Sequence, residues 1–137
     1  MSFLIDTDVL SELRKRVRDK GVDAWVRGTA SGDIYLSVLS IGEARRGADQ
    51  LRERGDSAQA KAIETWLYDV IKQLGDRIVP VTIDVAQVWG GRSVRRSAPI
   101  VDSLIAATAL VRDLTVVTRN TKDFAPTGVR ILNPFSA

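Results

Sequence analysis

The chain has 137 residues, 45% of them hydrophobic, which suits a single domain that buries its own core without disulfide or metal staples. It contains no cysteine and no histidine, which excludes disulfides, thiolate metal sites, an ordinary zinc centre and the Ser-His-Asp and Cys-His mechanisms. The formal net charge is only +3, but the positive residues are clustered: Arg14 to Lys20, then Arg45 and Arg46, then Arg92, Arg95 and Arg96. Such clusters suit a polyanionic partner.

Phe3, Leu4 and Ile5 make a short apolar run ending at Asp6, which predicts a strand. TDVLSELRKR follows with Val9, Leu10 and Leu13 at helical spacing. Lys20 and Gly21 read as a break, DAWVRGTA as a second short helix and IYLS as the next strand. From Ser40 to Leu51 the stripe of Ile41, Ala44, Ala48 and Leu51 predicts a helix with Ser40 as its N-cap. Between Gly55 and Gly75 apolar positions recur at helical spacing, giving the longest helix, with Gly75 as its C-cap. RIVPV is a strand candidate in which Pro80 stands at the end or on an edge. Asp84 to Val94 reads as helix, and Pro99 opens another through IVDSLIAATALV. TVVT and VRIL are closing strands on either side of the polar turn RNTKDF.

Strands alternating with helices, without a hairpin signal or an internal repeat, predict one α/β domain over residues 1–137 with a mainly parallel sheet. Ligands of such sheets bind beyond the carboxyl ends of the strands. The opening MSFLIDTDVL lacks a basic segment, so no signal peptide is expected. No apolar stretch reaches the roughly 20 residues that span a bilayer. The expected location is the cytoplasm.

With histidine and cysteine absent, carboxylates are the candidates for chemistry. Asp6 directly follows the first strand, and because Thr7 and Asp8 are equally able to cap the next helix, Asp6 is left free for a cleft. Glu43 has a structural competitor, since Ser40-Ile41-Gly42-Glu43 matches a capping box. Asp102 stands in an almost wholly apolar helix with Ile105, Ala106 and Ala109 on its face. A carboxylate buried there needs a partner beyond the helix N-terminus. Asp123 lies in TRNTKDF, where an ordinary Asx turn is the plain alternative. Taken together, the four acids suit an oxygen cage for Mg²⁺ or Mn²⁺.

With FLIDTDVLSEL, SVLSIGEARRGA, PIVDSLIAATAL and VVTRNTKDF in this order and spacing, nearly the whole chain resembles the PIN-domain nucleases. It is most similar to the VapC-type and FitB-like toxins of prokaryotic toxin–antitoxin modules. The resemblance implies a three-layer α/β/α domain with a parallel sheet of about five strands. It implies site acids at Asp6, Glu43, Asp102 and Asp123, with Thr118 and Asn120 as supporting polar positions. Asp8 stands where such toxins often carry Asn. A cognate antitoxin and a homodimer are also implied.

The expected activity is hydrolysis of RNA phosphodiesters by a metal-activated water. Asp6 and Asp102 would be the main ligands of Mg²⁺ or Mn²⁺; Glu43 and Asp123 would complete the cage or take a proton from the water. Arg45, Arg46, Arg95 and Arg96 are candidates for holding the RNA backbone. Two other readings remain open here. LIDTDVL also fits the signature of haloacid-dehalogenase-like phosphotransferases, in which Asp6 would be a nucleophile. Alternatively, a non-catalytic module would use the acidic cluster to dock a basic peptide.

Overall fold

A computed structural model describes residues 1–91 and 98–137. In chain order the elements are β1 (Phe3–Ile5), α1 (Thr7–Arg14), α2 (Lys20–Arg27), β2 (Ile34–Ser37), α3 (Val38–Glu53) and α4 (Ser57–Leu74). They continue with β3 (Ile78–Val79), α5 (Ile83–Gly90), α6 (Ile100–Arg112), β4 (Thr115–Val117), α7 (Thr121–Phe124) and β5 (Ile131–Leu132). The five strands form one parallel sheet in the order β3-β2-β1-β4-β5. β1 is central, with Phe3 opposite both Ile34 and Thr115, and Ile5 opposite both Leu36 and Val117.

The strand sequences are apolar but for Ser37 and Thr115 because helices cover both faces of the sheet. Successive side chains of a strand point to opposite faces, and the core divides accordingly. Leu4 and Val116 pack with Ile105, Ala106, Ala109 and Phe124 on the α6 and α7 side. Ile5, Leu36 and Val117 pack with Val9, Leu10 and Val22 on the side of α1 and α2. Leu4, Leu36, Val116 and Val117 are each 0% exposed. This is the expected three-layer α/β/α arrangement.

Three expectations need correction. First, α3 starts at Val38 and its N-cap is Ser37, whose side chain accepts from the Leu39 amide at 3.0 Å. Ser40 therefore lies inside the helix and is fully buried, and the Ser40–Glu43 capping box does not form. The cause is that β2 runs directly into α3 without a loop, so the earlier of two serines three residues apart takes the cap. Second, Lys20 and Gly21 do not break the chain but open α2, capped by Asp19. A β-carbon at Gly21 would meet the Pro134 carbonyl oxygen at 2.2 Å, so the glycine serves a close backbone approach. Third, the TKDF part of RNTKDF, Thr121–Phe124, is a one-turn helix rather than an open turn. The expected end of the α5 helix at Val94 lies outside the described residues.

The long helix α4 ends as expected, with Gly75 at φ 56°, a left-handed value that favours glycine. Pro80 sits just beyond the edge strand β3, where its missing amide costs no ladder bond.

Candidate active site

The chain runs from β1 outward to β2 and β3, then crosses back to β4 on the other side of β1. The strand order thus reverses between β1 and β4, and a crevice opens at such a point beyond the carboxyl ends of the strands. Asp6 follows β1 and Thr118 follows β4, so these two residues face each other across it.

Asp6 is 5% exposed. One of its carboxylate oxygens accepts from the Thr7 amide at 2.8 Å, and the other from the Thr118 hydroxyl at 2.9 Å. Asp6 is therefore the N-cap of α1, a role the sequence reading assigned to its neighbours, and it reaches the crevice with its second oxygen. Asp8 joins it: its Oδ2 accepts from the Arg119 amide at 2.9 Å and lies 3.3 Å from the same Thr118 hydroxyl. A hydroxyl has one proton, so Thr118 cannot satisfy both acids at once. The other Asp8 oxygen, Oδ1, is buried with no hydrogen-bond partner.

The far side of the crevice is supplied by α3, α6 and α7. The Thr7 hydroxyl contacts the Glu43 carboxylate and lies 3.0 Å from the Ser40 hydroxyl. With the capping box absent, Glu43 is free to face Thr7 at the site. Asp102, in the first turn of α6, accepts from the Asn120 side-chain amide at 3.3 Å. The same amide donates to Asp123 at 2.8 Å, and the Asn120 backbone amide donates to the Thr118 hydroxyl at 2.9 Å. Asn120 thus holds Asp102 and Asp123 side by side with a single neutral group.

The electrostatics agree with the geometry. Burial, then the charge of Asp8, push Asp6 up to about 7 against the lowering hydrogen bonds from Thr118 and Thr7. Burial, then the charges of Asp123, Glu43 and Asp8, push Asp102 up to about 6. Asp8 is also raised, chiefly by burial. Asp6, Asp8, Glu43, Asp102 and Asp123 therefore share one repulsive field in which no cationic side chain is hydrogen-bonded or ion-paired to any of them, among the described residues. Yet among those residues no three acids have closed into a finished metal cage. Between the acids stand neutral donors: the Asn120 side chain, the Thr7 and Thr118 hydroxyls and the backbone amides of Thr7 and Arg119.

The arginines expected to grip substrate divide differently. Arg45 is ion-paired with Asp49 at 3.4 Å and Glu64 at 3.2 Å, which ties α3 to α4. Arg46 is exposed and lines a groove of about 230 Å³ with Glu43, Leu39 and Val101. Arg95 and Arg96 lie outside the described residues. Sequence reading gave no role to Arg119, although TRN places it between two residues that bond the acids. That adjacency was the available signal.

A family model described as the PIN domain matches residues 3–128. The chain belongs to the PIN-domain family. Over nearly its full length this PIN domain is similar, among others, to two bacterial proteins. One is VapC ribonuclease Y4jK of Sinorhizobium fredii, 29% identical over 97% of each chain. The other is Toxin FitB of Neisseria gonorrhoeae, 29% identical over 97% of this chain and 98% of that protein. The crystal structure of FitAcB from Neisseria gonorrhoeae superposes with a TM-score of 0.86 at 30% identity, covering 96% of this chain and 97% of that one. Family membership removes the phosphotransferase reading. Among the described residues, no lysine bonds any of the site acids either.

Proposed function

We propose that this PIN domain is a divalent-metal-dependent endoribonuclease and the toxin of a toxin–antitoxin pair, acting in the cytoplasm. The observation that carries the proposal is the Asp6–Asp8–Asp102 group at the reversal of strand order. It holds a buried carboxylate oxygen with no partner and two acids raised to about 7 and about 6. Oxygen donors without nitrogen or sulfur fit Mg²⁺ or Mn²⁺. Asp6 and Asp102 would hold the ion, with Glu43 and Asp123 completing its surroundings and the orphaned Asp8 oxygen turned to the same charge.

Bound there, the ion supplies positive charge that lowers the pKa of water and offsets charge on a phosphodiester. The protein's own part is positioning. Thr118 orients Asp6, Asn120 keeps Asp102 and Asp123 together, and Thr7 presents Glu43. Glu43 or Asp123 takes the proton of the attacking water. Arg46, at the lip of the Glu43 groove, holds the RNA backbone. The names VapC ribonuclease and Toxin FitB support the substrate and the toxin role. A cognate antitoxin that covers the acids and a homodimer as the working assembly complete the proposal, both implied by the sequence resemblance.

The test is cleavage of single-stranded RNA by the purified chain with Mg²⁺ or Mn²⁺, and again with excess EDTA. Cleavage is expected only with the metal, and co-expression with the antitoxin should relieve growth arrest. Full cleavage in EDTA would sink the metal-dependent reading.

A further inference from the structure

Arg119 leaves Thr118 at the rim of the crevice, and its guanidinium lies over the Phe135 ring, 4.0 Å from the ring centroid. Stacking uses the flat faces of a guanidinium and leaves its edge of N–H donors open. No ion pair engages Arg119 among the described residues, unlike Arg45 and Arg52. Its backbone is fixed on both sides, since its amide donates to Asp8 at 2.9 Å and its carbonyl accepts from Thr121 at 2.9 Å.

The platform is fixed as well. Phe135 is half-buried against the core on the α1 and α2 side, and its amide donates to the Asn133 side chain at 3.0 Å. The next residue, Ser136, donates its amide to Asp19 at 3.0 Å and its hydroxyl to the same carboxylate. At Gly21 the tail backbone approaches so closely that any side chain would strike it. The end of the chain is thus strapped to the start of α2, and one face of the Phe135 ring on that strap carries the Arg119 guanidinium.

We propose that Arg119, preorganised on Phe135, grips a phosphate of single-stranded RNA next to the one being cut, and that Phe135 is its positioning residue. The proposal rests on the nuclease reading above. A cation held by stacking keeps its hydrogen-bonding edge for a planar bidentate contact with phosphate oxygens. It also offers the incoming strand a positive point of attachment beside a crevice whose own charge repels it. A flexible surface arginine would lose rotamer freedom on binding; this one has already lost it.

The experiment compares cleavage kinetics and salt dependence of RNA binding for the full chain and its variants. In Arg119→Ala, KM should rise about tenfold, the low end for one charge-assisted hydrogen bond, with kcat nearly unchanged. The log–log salt slope of RNA binding should become shallower by about 0.7, the value for one single-strand phosphate. In Phe135→Leu, KM should rise by roughly two- to fivefold, as expected for loss of one exposed cation–π contact, while Phe135→Tyr restores it. Adding Phe135→Leu to Arg119→Ala should cost nothing further, because the ring acts only through the cation. If wild type cuts RNA but Arg119→Ala keeps its KM and salt slope, the inference falls and the nuclease reading stands. A change confined to kcat or its pH profile would show instead that Arg119 only balances Asp8, and also overturns it. A wild-type chain that cuts no RNA with either metal overturns both.

Discussion

Asp6 and Asp19 are both helix N-caps, of α1 and α2, each with one carboxylate accepting a backbone amide of its own helix. Their charges behave in opposite ways. Asp19 collects the Ser136 hydroxyl, the Ser136 amide and the Val22 amide, and these donors draw it down to about 2. Asp6 is buried against other acids and is pushed up to about 7. The capping motif, local in sequence, does not decide which outcome follows; the groups arriving from distant segments do. For Asp19 these are donors from the chain's end, which makes a strap. For Asp6, burial under the packed strands and then the charges of Asp8 and the distant Asp102 outweigh the Thr118 hydroxyl, which leaves an acid without a cationic partner.

The strongest way to break the comparison is to remove charge from the Asp6 side. Asp102→Asn should lower RNA cleavage by at least about 100-fold, the upper figure for losing a mere outer-shell partner of a metal site. In EDTA its melting temperature should be equal to or above that of wild type, because repulsion among the acids is relieved. The metal-free comparison matters, since a bound ion stabilises the wild type by mass action. A variant much less stable in EDTA yet fully active would identify Asp102 as a core residue only.

Next in size is Thr118→Val, which keeps the shape and removes the hydroxyl that Asp6 and Asp8 share. Cleavage should fall by about 10- to 100-fold, and Thr118→Ser should recover most of it. Kinetics of the two variants side by side separate the hydroxyl from the packing.

The pH dependence of stability sharpens the contrast further. Folded Asp6 keeps its proton up to about 7, whereas the ordinary value is 3.8. Between those values the native state binds more protons than the unfolded chain, so metal-free stability falls as pH rises through that window. Asp19 works in the other direction, with stability present above 3.8 and lost as pH drops toward 2. Melting temperatures in EDTA should therefore decline from mildly acid to neutral pH, and Asp6→Asn should flatten that decline. An unchanged profile would mean that Asp6 does not carry the proton. The smallest effect is expected for Asp19→Asn, which retains an N-cap acceptor. Its kcat should match wild type, and only the loss of stability toward acid pH should diminish.

Much of this was legible in the sequence. The apolar strands and the helical stripes followed from periodicity, and Asp102 stood out because a carboxylate on an apolar face lacks an ordinary explanation. What escaped was decided by partners remote in the chain. Ser40 and Glu43 imitate a capping box, but the direct passage from β2 into α3 gives the cap to Ser37 and turns Glu43 toward Thr7. Gly21 imitates a breaker, but its missing side chain accommodates Pro134 and Ser136. Asp6 was read as free of capping when it does both jobs, one with each oxygen. Periodicity carries no information on which distant group a side chain will meet, and each of these positions depends on such a meeting.

The sheet order also governs when the site comes into being. β1 acquires its second neighbour only when β4 has been made, and Asn120 and Asp123 lie beyond β4. Asp6 emerges from the ribosome early but waits for β4 before Thr118 can reach it. Under the proposed activity, a chain that stops short of β4 carries every site acid but Asp123 and lacks Thr118 and Asn120, which hold them in place. The message encoding the protein is therefore out of its reach until β4 and α7 have been made.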